Sequence, residues 1–120
     1  MRKFNLLAAS LAIALLAGCA SQQKPMYYWG DYSHTLYEYK KHPSDESLSG
    51  HIKCLDDVIK VSKENNLRVP PGVYAEYGYY MLDMGKNEEA VGYFRLEEQT
   101  YPESAQLMER LINSVNGEEQ

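Results

Sequence analysis

Few residues in this chain have types and spacing that could do chemistry. His51 and Cys54 stand three apart with Asp57 close behind. On a helix that spacing would put an imidazole and a thiol on one face. Such a pair could bind a metal or form a nucleophile and its base. A zinc site needs four ligands, and no matching pair of ligands lies elsewhere. A thiol nucleophile needs a base and a third group to orient it, and no local signature surrounds His34, His42 or His51. Cys54 therefore reads as a small buried apolar residue and His51 as a surface one. The carboxylate pairs Asp56-Asp57, Glu88-Glu89 and Glu97-Glu98 are adjacent in sequence. Adjacent helical positions do not face each other, so these pairs read as solvated faces. There is no GxSxG, HExxH, phosphate loop or dinucleotide fingerprint. The expectation is a chain that is not an enzyme, with no cofactor and no metal.

The unusual chemistry is aromatic: 11 tyrosines against two phenylalanines and one tryptophan. Tyr27, Tyr28 and Trp29 cluster near the start. Tyr77 and Tyr80 fall on the apolar stripe of a helix and read as core, whereas Tyr74, Tyr79 and Tyr93 point elsewhere. Two readings stand for these three: rings that pack while their hydroxyls stay wet, or a tyrosine-lined groove for a peptide or glycan. On the second reading the contact residues are Tyr74, Tyr79 and Tyr93, with Tyr27, Tyr28 and Trp29 beside them.

The elements that position these residues read as helices. The spacing of Trp29, Tyr32, Leu36 and Tyr39 predicts one over about residues 31–41, stopped before Pro43. Ser44 is an N-cap for the next, whose stripe is Leu48, Ile52, Leu55, Val58 and Ile59. Asn65-Asn66 and Pro70-Pro71 end it. A third opens near Gly72, with Val73, Tyr77, Tyr80, Met81 and Met84 inward, and Gly85 ends it in a left-handed conformation. Asn87 is read as the cap of a fourth, with Ala90, Val91, Phe94 and Tyr101 inward. After Pro102 a fifth carries Ala105, Met108, Leu111, Ile112 and Val115 inward, up to Asn116-Gly117. No segment alternates as a strand. The fold class is all-α, with antiparallel helix pairs joined by short turns.

The N-terminus reads as an address. Arg2 and Lys3 precede an apolar run from Leu6 to Ala17, 12 residues long and too short to span a bilayer. The run ends in Leu16-Ala17-Gly18-Cys19, which resembles the lipobox of bacterial lipoproteins. The resemblance implies a leader over residues 1–18, cleavage before Cys19, a diacylglycerol thioether on its sulfur and a fatty acyl chain on its amine. By resemblance to the sorting rules of enteric-type bacteria, Ala20 and Ser21 without an Asp imply the outer membrane, periplasmic face. Residues 19–26 are a short lipidated tether and residues 27–117 the helical domain. Without Arg2 and Lys3, ten basic residues face 17 acidic ones, a net charge of −7. That balance argues against nucleic acid as a partner.

The 34 residues from Pro71 to Ser104 have the period of a tetratricopeptide repeat. They read Tyr74-x2-Tyr77-Gly78-x2-Met81, then Ala90-x3-Phe94, then Pro102. The segment resembles such a repeat, with Gly78 and Ala90 small because two helices would cross closely there. Two positions depart from the pattern: Tyr77 replaces a leucine, and Glu97 stands where a small residue is usual. The resemblance implies a tetratricopeptide-like stack closed by the last helix as a cap. The mature chain also resembles a family of small proteobacterial lipoproteins carrying a domain of unknown function, through the lipobox, Tyr27-Tyr28-Trp29-Gly30 and Tyr74-Ala75-Glu76-Tyr77-Gly78. Genes of that family tend to lie beside one for a lipoprotein like the curli secretion pore CsgG. This implies an envelope protein, such as a CsgG-like lipoprotein, as partner. The expected role is a protein-interaction scaffold, and the alternative is a glycan-binding module that holds peptidoglycan.

Overall fold

The computed structural model describes residues 23–117. The leader expected over residues 1–18, and Cys19, lie outside the described residues. Five α-helices follow one another: α1 (Tyr32–Lys41), α2 (Asp45–Glu64), α3 (Val73–Asp83), α4 (Asn87–Thr100) and α5 (Ala105–Asn116). A single 3-10 turn, Pro102–Ser104, leads into α5, and no strand occurs among the described residues. Each helix packs chiefly against its neighbours in the chain. Short turns make α1 and α2, and then α3 and α4, antiparallel pairs.

The helix ends follow from local chemistry. Ser44 accepts from the Ser47 N–H at 3.0 Å while the Ser47 hydroxyl accepts from the Ser44 N–H at 3.0 Å, a reciprocal cap on α2. Asn66, with φ of 54°, turns the chain out of that helix. At the end of α3, Lys86 N–H reaches the Met81 carbonyl and Gly85 N–H the Leu82 carbonyl, both at 2.9 Å. This closure needs Gly85 at its φ of +75°. Asn87 is not the cap expected of it. It is already the first residue of α4, and Lys86 before it makes no capping bond.

The core has two parts. Leu55, Val58 and Ile59 of α2 pack with Val69, Val73 and Tyr74, while Met81, Ala90 and Phe94 pack with Met108 and Ile112 of α5. The two meet where α3 crosses α4. A Cβ on Gly78 would lie 2.9 Å from Phe94 Cε1 and 3.1 Å from the Ala90 carbonyl oxygen. The close crossing expected from Gly78, Ala90 and Phe94 is therefore present.

Three expectations about burial are corrected. His51 is fully buried rather than on the surface. Tyr74 is only 5% exposed and belongs to the core, because α2 and α4 flank α3 and widen its buried arc. Met84 is on the outside. Tyr77 and Tyr80 are half-buried.

Candidate functional site

The segment before α1 runs back along α2. Tyr28 packs on the first core cluster. Trp29 stacks on Tyr32 with ring centroids 5.2 Å apart. Tyr32 in turn lies 5.3 Å from the His51 ring, and Tyr80 meets the same ring edge-on at 6.0 Å. Tyr79 stands 6.3 Å beyond Tyr80. Aromatic rings thus form an unbroken series from the N-terminal segment, through α1 and α2, to the outer face of α3.

A polar network lies at the centre of that series. Glu76 accepts from the Tyr32 hydroxyl at 2.7 Å and from His51 Nε2–H at 2.9 Å. The Thr35 hydroxyl is 2.9 Å from His51 Nδ1 and 3.1 Å from the Tyr32 carbonyl oxygen. It donates to Nδ1 when the imidazole is neutral. When Nδ1 carries a proton, the hydroxyl accepts that bond and donates to the carbonyl instead. Both ring nitrogens and the Thr35 hydroxyl keep a partner in both cases. Burial, then the bond to Glu76, pushes the Tyr32 phenol well up, and burial with Glu76 nearby pushes Tyr80 up to about 12. Both His51 nitrogens are engaged, so neither is free to ligate a metal or to take a proton from Cys54. Cys54, a free thiol, is buried in the neighbouring core and edges a cleft of about 300 Å³ with Tyr28, Thr35, Lys53 and Asp57.

On the other side of α3, Tyr93 meets Tyr77 edge-on at 4.6 Å and Tyr74 at 6.3 Å. Burial and then the Asp56 carboxylate push the Tyr77 and Tyr93 phenols up. Glu97, expected on a solvated face and standing where the repeat pattern has a small residue, is instead buried and accepts from the Gly72 N–H at 2.7 Å. It thereby caps α3 from α4. Tyr101 braces the same loop by donating to the Val69 carbonyl at 2.6 Å, and Arg68 lies over its ring. Burial, and then the adjoining Tyr27 hydroxyl, raises the Tyr101 phenol well above its ordinary value.

The six expected contact residues therefore separate. Tyr74 is core. Tyr93 is half-buried against Tyr77. Tyr27 and Tyr28 are half-buried and fix the N-terminal segment. Tyr79 and Trp29 stand out, at 52% and 41% exposure. Exposed Met84 edges an apolar cleft of about 300 Å³ lined by Asp45, Leu48, Ser49 and Ile52. The helix stripe had placed Met84 inside. Only the α2–α3 packing shows that it joins Leu48 and Ile52 at the surface.

No curated protein and no solved structure matches the chain. A family model described as a domain of unknown function, DUF4810, matches residues 26–111, from just before the aromatic segment into α5. The chain belongs to that family.

Proposed function

We propose that the chain is a lipid-anchored, non-enzymatic protein-interaction scaffold of the bacterial envelope. Its leader is residues 1–18, and the acylated residue is Cys19. The helices act as a tetratricopeptide-like stack with α5 as the cap, and an envelope protein such as a CsgG-like lipoprotein docks on it. The observation that carries this reading is exposed Met84 at the apolar cleft of Leu48 and Ile52, with the exposed ring of Tyr79 on another face of the same helix. Apolar and aromatic groups standing out of rigid helices are the kind of anchor that protein partners use. The sharply kept α3–α4 crossing at Gly78 supports the repeat assignment.

A second reading is favoured by one feature. Tyr77 and Tyr93 beside Asp56 put phenols and a carboxylate together, a combination suited to sugar rings and hydroxyls. On that reading the module binds peptidoglycan.

Crosslinked pull-down from solubilised envelope separates the two. The intact lipoprotein is compared with a Tyr79→Ser, Met84→Ser variant, altered only at exposed positions. A discrete protein recovered by the first and lost by the second is the expected result. Sacculus fragments recovered equally by both would overturn the scaffold reading in favour of the glycan.

A further inference from the structure

The segment before α1, together with α1, is the outermost layer of the stack. No residue of α1 is fully buried. The exposed positions of α1 are Ser33, His34, Tyr37, Lys40 and Lys41, and the carboxylates of the layer are exposed Asp31 and half-buried Glu38. With Lys24, Lys40 and Lys41 against those two, the layer is slightly cationic in a chain whose net charge is −7 after removal of the leader. The large apolar groups standing out of the layer are Met26, Trp29 and Tyr37, at 73%, 41% and 55% exposure. The Lys41 ammonium lies 5.2 Å above the Tyr37 ring and the Lys40 ammonium 5.6 Å above that of Tyr39. Trp and Tyr rings, apolar in body with a polar handle, favour the headgroup level of a bilayer, and lysine stems reach from there to phosphates.

Chain length selects the occupant. Trp29 is ten positions along the chain from Cys19, a reach of at most about 35 Å. A lipid on Cys19 would hold this face at an effective concentration near the millimolar range, so a weak interfacial affinity is sufficient. We infer that this layer seats on the phospholipid surface, with Met26, Trp29 and Tyr37 at headgroup level and Lys24, Lys40 and Lys41 toward the lipid phosphates. The inference rests on the reading of Cys19 as the anchor. With this layer on the bilayer, exposed Tyr79 and the cleft at Met84 are left for protein.

Trp29 is the chain's one tryptophan and reports on this directly. The full-length lipoprotein is purified from membranes, its intact mass is measured, and it is reconstituted into phosphatidylethanolamine–phosphatidylglycerol vesicles with plain or chain-brominated lipids. The expected result is a chain of lipidated mass whose emission is quenched about twofold by the brominated lipids, since quenching requires the ring at the membrane interface. A Tyr37→Ser, Lys40→Glu, Lys41→Glu variant, changed only at exposed positions, should lose most of that quenching. A chain lacking the lipid mass would overturn the anchor reading and this inference together. A lipidated chain with equal emission in both vesicles would overturn the bilayer seat alone, whether Trp29 then faces water or a protein.

Discussion

Gly78 has no side chain because Phe94 and the Ala90 carbonyl occupy the space that a Cβ would need. Gly92, on the exposed side of α4, has nothing within 4 Å of that position. The two glycines should therefore respond oppositely. Gly78→Ala forces the helices apart and should lower stability by about 1–3 kcal/mol. Gly92→Ala should raise it by about 0.5–1 kcal/mol through helix propensity and a less mobile unfolded chain. Thermal unfolding of the pair checks both signs. The tyrosines give a second residue-scale expectation. Burial raises Tyr32, Tyr74, Tyr77, Tyr93 and Tyr101 above their ordinary value, and takes Tyr80 from 10.0 to about 12. A phenol raised on folding keeps its proton longer in the folded state, so unfolding releases protons once the pH exceeds the unfolded value. Stability should be unaffected by these groups below pH 10.0 and fall from there through about pH 12. Tyrosinate absorbance followed alongside circular dichroism should show the later phenols ionising as the helices unfold. Full ionisation with the helices intact would contradict their burial.

Helix ends were legible in the sequence where their chemistry is local. Ser44, Gly85 and Gly117 each act within a few residues, and each ends or begins a helix where expected. The Gly78–Phe94 crossing was legible through the resemblance to a tetratricopeptide repeat, whose pattern sets Gly78 near Ala90 and Phe94. His51 and Glu97 were not, because their partners Glu76 and Gly72 each lie 25 residues away in sequence. A buried imidazole or carboxylate shows itself only when the neighbouring helix supplies the matching group. Tyr74 was misplaced for a related reason. A single stripe describes a helix packed on one side, and α3 is packed on two. The last element is also the most exposed to test. α5 buries Met108 and Ile112 against Ala90 and Phe94. Ending the chain before Ala105 removes both side chains, a loss of about 3–6 kcal/mol at 1.5–3 kcal/mol each. That loss is comparable to the whole stability of a small domain. The truncated chain should lose its cooperative thermal transition, whereas retention of a sharp transition would show that α5 is not a cap.

At the scale of the molecule, an unbroken aromatic series connects exposed Trp29 to exposed Tyr79. Trp29 and Tyr37 lie in the layer nearest the N-terminus, Tyr79 lies on α3, and Met84 ends that helix at the separate cleft of Leu48 and Ile52. The His51–Glu76–Tyr32–Thr35 network fixes one layer on the other and leaves no buried donor in it without a partner. This division suits a protein held at a membrane through one edge while it presents another surface to a partner. The excess of tyrosine was legible in the sequence, but which of the rings stand exposed was not. Four of the six residues expected at the contact surface face inward or lie half-buried. Only the assembled helices show that Met84 joins Leu48 and Ile52 at the surface. The most direct test replaces Tyr79 with a photo-crosslinking phenylalanine in living cells, with Gly92 so replaced as the control on the exposed side of α4. The account predicts a discrete protein adduct from position 79 and none from position 92. No protein adduct from position 79, in cells where the chain is present and folded, would contradict it.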